Sequence, residues 1–339
     1  GQTHYAPNAG TTELREAVAA KYRKQYWEGY TKDHVIITVG AMEGLFLAMM
    51  TLLDPGDEIL VPDPCFPNYY GQASSIGARA VPVPTYEEYD YRIQAADIEK
   101  AVTPRTRAIL LNSPCNPTGA VLTKEDILAI AKVAKTHDLW VLTDEPYDAI
   151  VYDGIQPYSM AQVPEMQDRV MVLNSFSKSY AMTGWRIGYV AAPAPIAKVI
   201  GNYLGHCTGS PSSISQKASA VALSASQDSI EAMRKAFEKR RNYMVERMNR
   251  IEGVSCIKPH GAFYVMMNIE KLIGQELHGV VIRDADDFGN LFLKYGKVAV
   301  VPGTGFGAPT FVRWSYATSI ENIKEGLNRL ERFLKGETI

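Results

Sequence analysis

Between Val35 and about Val190 the chain alternates seven short apolar runs with longer stretches at helical period, and few folds accommodate that rhythm. The runs are Val35–Val39, Glu58–Val61, Ala80–Val83, Ala108–Leu111, Trp140–Thr143, Val170–Leu173 and Ile187–Ala191. Runs this uniformly apolar describe strands covered on both faces, with the intervening helices as the cover. Glu43–Leu53 and Lys124–Thr136 are two such helices. The second is well framed, because Thr123 can cap its start while Glu125 and Asp126 suit the positive end of its dipole. The pattern predicts an α/β fold whose larger part is a mostly parallel seven-stranded sheet flanked by helices.

After about Ser226 the texture changes. A long charged helix is expected over Asp228–Arg250, with Arg234, Lys235, Glu238, Lys239, Arg240 and Arg241 forming a solvated face. Three β-like segments follow (Gly261–Met267, Val298–Val301 and Thr310–Ser315), then a closing helix, Ile320–Leu334. This describes a smaller α+β C-terminal domain. The expected organisation is an N-terminal segment over 1–11, a large domain over 12–227, and a linking helix with the small domain over 228–339.

With 339 residues, 46% of them apolar, the chain can bury a large core. Its formal charge of −2 gives no basic excess for nucleic acid or an anionic membrane. Cys65, Cys115, Cys207 and Cys256 are too scattered for a disulfide framework or a zinc site. The longest apolar run, around Leu45–Leu53, is too short to span a bilayer, and no signal peptide opens the sequence. A soluble protein in a reducing compartment, the cytoplasm, is the expectation.

Chemistry enters at the ends of the strand-like runs. Ser175-Phe176-Ser177-Lys178-Ser179-Tyr180 holds one lysine among small hydroxyl residues, and Arg186 follows eight positions later in Gly184-Trp185-Arg186-Ile187-Gly188. A lysine enclosed by a fold suits imine chemistry with a carbonyl cofactor, and a nearby arginine suits that cofactor's phosphate. Thr38–Gly44 lies at a strand-to-helix junction, where the free N–H groups of the helix start favour a phosphate and Gly40 permits close approach. Phe66, in Asp63–Tyr69, can stack on a flat ring or simply pack in the core.

Asn112–Gly119 is a rigid proline-rich turn in which Asn116 can donate to a phenolate oxygen. In Thr143–Tyr147, Asp144 follows a buried strand and is costly there without a cationic partner. A protonated pyridine nitrogen would be such a partner, and Tyr147 can hydrogen-bond the same ring's oxygen. Arg313, inside Phe311–Tyr316, can grip a carboxylate through two parallel hydrogen bonds or serve in a salt bridge. Gly303–Gly307 resembles a nucleotide loop but opens no helix, and reads as a flexible connection beside the substrate pocket.

Taken together, Asn112–Gly119, Thr143–Tyr147, Ser175–Gly188 and Phe311–Tyr316 resemble the signature blocks of class I/II pyridoxal-phosphate-dependent aminotransferases, of the aspartate aminotransferase fold type. The resemblance covers nearly the whole chain. It implies pyridoxal 5'-phosphate as cofactor, with Lys178 as the Schiff-base lysine and proton carrier. Asp144 would pair with the pyridine nitrogen, Asn116 and Tyr147 would hold the ring hydroxyl, and Phe66 would stack on the ring. Ala41, Met42, Ser175, Ser177 and Arg186 would cradle the phosphate, while Arg313 would bind the substrate α-carboxylate, with Asn116 also among the substrate-binding residues.

Family members are homodimers with active sites at the subunit interface, and Tyr5 resembles the tyrosine that reaches the neighbour's cofactor phosphate. In the family, several dozen residues precede the block that here begins at Gly1. The implied activity is transfer of an amino group from an L-amino acid to a 2-oxo acid, 2-oxoglutarate by the family's habit, through ping-pong Schiff-base chemistry. Gly205–Gln216 supplies His206 but no arginine or lysine for a distal carboxylate. Aspartate, aromatic and other neutral donors are all compatible with this pattern. A carbon–sulfur β-lyase using the same electron sink is the alternative reaction.

Overall fold

The computed structural model describes residues 1–339. All seven expected strands form: β1 (Val35–Thr38), β2 (Glu58–Asp63), β3 (Arg79–Pro84), β4 (Thr106–Asn112), β5 (Trp140–Asp144), β6 (Val170–Ser175) and β7 (Gly188–Ala191). They make one sheet in the order β1-β7-β6-β5-β4-β2-β3. Strands β2 to β6 are mutually parallel, and β7 runs antiparallel between β6 and β1. Register aligns Asn112 with Asp144, and both Ser175 and Thr38 with Gly188. The carboxyl ends of β1, β4, β5 and β6 and the start of β7 therefore share one edge, where an α/β sheet binds ligands.

The uniform apolarity of the runs has the expected cause. Ile37, Leu111, Val141 and Val172 enter one core, while Ile36, Leu110, Leu142 and Leu173 enter another on the opposite face. The helix Lys124–Thr136 has the expected bounds, with Thr123 and Asp126 capping each other's backbone. The helix expected from Glu43 starts earlier, at Gly40, because the Glu43 carboxylate reaches back to accept from the Val39 N–H at 2.6 Å.

A second, three-stranded antiparallel sheet joins Val301–Pro302, Phe311–Ser315 and Tyr264–Asn268 in that order. The expected strand Val298–Val301 is displaced to Val301–Pro302, while Val298 and Val300 pack against the core of this smaller part instead of joining the ladder. The closing helix forms as expected over Ile320–Leu334 and buries Ile323, Leu327, Leu330 and Phe333 on one face. Tyr147, Ile150 and Tyr152, from the chain after β5, also enter this core.

The charged helix spans Asp228–Met248, but one member of its expected solvated face is misassigned. Arg241 is fully buried, donating to Asp153 at 2.7 and 2.8 Å and to the Pro259 carbonyl at 2.8 Å. Its partner lies 88 residues away, beyond the reach of any pattern along the helix itself. The Gly303–Phe306 segment is a tight helical turn rather than a loose connector, and a side chain at Gly307 would strike the Asp63 carboxylate. All four cysteines are free, with Cys65, Cys115 and Cys256 buried. No helix is long and apolar enough to cross a membrane.

Candidate active site

At the carboxyl edge of the large sheet, against the small one, lies a cavity of about 330 Å³. It is lined by Ala41, Met42, Phe66, Asn116, Asp144, Tyr147, Ser175, Ser177, Lys178, Arg186 and Arg313, all expected to meet around one ligand. The chain does not bring Tyr5 there. That side chain is fully exposed, beside the Ser210–Ser213 turn.

Asp144 ends β5 and is buried. Its Oδ2 accepts from the Tyr69 hydroxyl at 2.8 Å, whereas Oδ1 is buried without any partner. Burial pushes this carboxyl from 3.8 up to about 7, partly opposed by the Tyr69 bond and reinforced by the charge of Glu145. A buried acceptor held open in this way suits a cationic N–H.

Lys178 follows β6 with its Nζ 5.9 Å from the Tyr147 ring centre and 5.6 Å from that of Phe263. Burial lowers its pKa, and the positive charges of Arg313 and Arg186 lower it further. Each effect favours the neutral amine needed for nucleophilic attack or proton transfer.

Arg313 sits in the middle of its strand between two aromatic rings, its guanidinium carbon 4.3 Å from the centre of Tyr264 and 4.8 Å from that of Phe306. Its Nη1 donates to Asn116 Oδ1 at 2.6 Å, and its buried Nε has no partner. Asn112 ties two loops together, donating to the Asp144 carbonyl and accepting from the Asn116 N–H, each at 2.8 Å. The Tyr147 and Tyr264 hydroxyls meet at 2.9 Å.

The opposite end of the cavity is built for an anion. The helix Gly40–Leu52 begins there, presenting the unpaired N–H groups of its first turn. Arg186 adopts a left-handed backbone (φ 52°), a strained setting for a non-glycine residue, and donates to the Thr183 carbonyl at 2.8 Å. Gly40 also has a positive φ of 75°, and a side chain on it would come within 2.7 Å of the Arg186 guanidinium. The space left by this glycine is taken by Arg186. Ser175 and Ser177, both buried, complete the wall.

A larger cavity of about 430 Å³ lies across the Asp144–Asp148 turn, lined by Lys21, Glu145 and Asp148 among others. Its charges are already satisfied: Lys21 pairs with Asp148 at 2.6 Å, and Glu145 accepts from Tyr26, Thr143 and Ser159. The unpaired acceptor and the free cations belong to the smaller cavity.

Tyr69, Asn112, Tyr264 and Phe306 were not assigned roles from sequence. Tyr69 had a local signal, because it stands three residues after Phe66 at a helix start and so shares its face. Asn112 opens the proline-rich block itself. Phe306 stands in the Gly303–Gly307 segment, seven residues before Arg313, whereas Tyr264 had no local signal, since its partners Tyr147 and Arg313 are distant in sequence.

An enclosed lysine, an unpaired buried carboxylate oxygen, a stacked arginine and an anion pocket define an enzyme that handles amines and carboxylates. Residues 1–330 match the model of the aminotransferase class I and II family, and the chain belongs to that family. It is a transaminase, and its α/β architecture is that of aspartate aminotransferase. The chain is 41% identical to aromatic-amino-acid aminotransferase 2 of Thermococcus litoralis, over 99% of this chain and 85% of that one. It is 38% identical to an aspartate aminotransferase of Geobacillus stearothermophilus, over 99% and 84%. The crystal structure of the aspartate aminotransferase from Rhizobium meliloti superposes with a TM-score of 0.96 at 38% identity, over 99% and 85%. These relatives are named aminotransferases and lend the carbon–sulfur lyase alternative no support.

Proposed function

We propose that the cavity binds pyridoxal 5'-phosphate and that the enzyme carries the amino group of an L-amino acid to a 2-oxo acid, 2-oxoglutarate, in two half-reactions. The observation that carries this reading is the partnerless, buried Oδ1 of Asp144 beside an enclosed lysine. When bound, the cofactor supplies an electron sink for bond-breaking at the substrate α-carbon.

Asp144 holds the proton of the pyridine nitrogen at Oδ1, and Tyr69 fixes the carboxylate by its bond to Oδ2. Phe66 would lie against the ring, and Asn116 and Tyr147 would bind its oxygen. The first-turn N–H groups at Ala41 and Met42, with Ser175, Ser177 and Arg186, bind the phosphate. Lys178 Nζ would anchor the cofactor and carry the α-proton, burial and the two arginines both lowering the pKa of its amine. Arg313 binds the substrate α-carboxylate, held flat by its flanking rings and oriented by Asn116.

Two copies form a homodimer in which the exposed Tyr5 of each completes the other's phosphate site. The two cores flanking the large sheet and the distinct core of the small one support the division into a large domain over 12–227 and a small one over 228–339, with 1–11 at the interface, although Tyr147, Ile150 and Tyr152 of the large domain enter the small core. Aspartate and aromatic amino acids are the donors to compare first, following the names of the relatives.

The test is the visible absorption spectrum of the protein loaded with pyridoxal phosphate. One amino acid added alone should bleach the band, and 2-oxoglutarate should then restore it. Absence of a visible band on adding the cofactor would refute the cofactor reading. A persistent band with release of pyruvate and ammonia would refute transamination in favour of the lyase.

A further inference from the structure

Tyr264 is the first residue of its strand, and its neighbours on two sides belong to different parts of the proposed site. Register places Arg313 opposite Met266 and Ser315 opposite Tyr264, so Tyr264 and Arg313 are diagonal neighbours on one face. The Tyr264 ring covers the Arg313 guanidinium at 4.3 Å, and its hydroxyl meets that of Tyr147 at 2.9 Å. The side chain is buried and lines the cavity. No other residue both hydrogen-bonds Tyr147 and covers Arg313 with its ring.

A phenol has one proton to donate. If Tyr147 gave its proton to Tyr264, it would have none for a ring oxygen in the cavity. With Tyr264 as donor, the Tyr147 proton points onward, and the chained bond makes Tyr147 a stronger donor.

Resting on the cofactor reading above, we infer that Tyr264 is a positioning residue for both ends of the site. Its hydroxyl donates to Tyr147 Oη, reserving the Tyr147 proton for the cofactor's ring oxygen. Its ring holds the Arg313 plane for the substrate carboxylate. The charged groups facing the tyrosine pair are Asp144 and Arg313, with Lys178 above the Tyr147 ring. The variants below leave all three in place.

The test separates hydroxyl from ring. In the cofactor-loaded enzyme, the visible band is titrated with pH, and 3-phenylpropionate, a carboxylate without an amine, is titrated for binding. Tyr264→Phe should raise the pH midpoint of the band by about half a unit or more, the scale of one hydrogen bond, because the ring oxygen's negative charge is less well stabilised. It should leave 3-phenylpropionate affinity within about twofold, since the stack remains. Tyr264→Leu should shift the midpoint equally and also weaken that affinity by about three- to tenfold.

In a Tyr147→Phe background, Tyr264→Phe should add no further shift. A full additional shift there would overturn the claim that Tyr264 acts through Tyr147. An unmoved midpoint in Tyr264→Phe would overturn the role of the hydroxyl, and unchanged affinity in Tyr264→Leu would overturn that of the ring. If the unsubstituted protein shows no band with pyridoxal phosphate, the cofactor reading fails and this inference with it.

Discussion

Replacing Asp144 by asparagine should stabilise the cofactor-free protein relative to its parent, increasingly as pH rises, while disabling the enzyme. In the folded chain this carboxyl is buried, with one oxygen unpaired, and its pKa rises from 3.8 to about 7. Between those two values the folded state holds a proton that the unfolded chain has released. Stability therefore falls as pH rises through that window, and the loss is complete above pH 7. At about 1.4 kcal/mol per unit the shift costs about 4 kcal/mol at pH 8, but under about 2 kcal/mol at pH 5.

Asparagine has no such titration. Its amide, short of an acceptor, costs about 1–3 kcal/mol at either pH. Urea unfolding of the cofactor-free proteins at fixed concentration should show the Asp144→Asn variant gaining about 2.5 kcal/mol on its parent between pH 5 and pH 8. In the loaded enzyme the same change removes the partner of a buried cation, worth about 3–5 kcal/mol, so kcat/KM should fall at least a hundredfold. A stability difference that does not move with pH would refute the view of Asp144 as an uncompensated buried charge awaiting its partner.

Three further outcomes follow from the same geometry. Lys178→Ala should abolish turnover with every donor, and a wild-type rate in a steady-state assay would sink the assignment of this lysine. Arg313→Ala should raise KM for the amino acid about a hundredfold, the worth of two charge-assisted hydrogen bonds, while melting temperature changes little; an unchanged KM would place the carboxylate elsewhere. Asp153→Ala should destabilise the protein by about 3–5 kcal/mol, because it strands the fully buried Arg241. Arg241 and Lys258 hold the Asp153 carboxyl well below its usual range, so this stabilisation is present above the ordinary carboxylate pKa and is lost in strong acid. Urea unfolding at pH 7 with no such loss would remove Asp153 as Arg241's counter-charge.

How much of this was legible in the sequence depended on distance along the chain. The seven strands and the helix Lys124–Thr136 could be read because apolar periodicity and capping act within about ten residues. The cavity residues could be read because most stand just past strand ends, in short blocks whose chemistry is visible residue by residue. Asp144 is the clearest case, since a carboxylate closing a buried strand announces an unmet need for a cation.

What remained hidden was pairing between distant segments. Tyr69 meets Asp144 across 75 residues, Arg241 meets Asp153 across 88, and Tyr147 meets Tyr264 across 117. The charge pattern of the long helix placed Arg241 in solvent, and only the packing of that helix onto the chain after β5 buried it. The sequence by itself determined which elements form and which chemical groups they carry to the sheet edge, because those follow from local backbone and side-chain preferences. Tertiary structure alone decided which oxygen of Asp144 stays free, which rings flank Arg313 and which hydroxyl faces Tyr147, because such contacts exist only once remote strands and loops pack together.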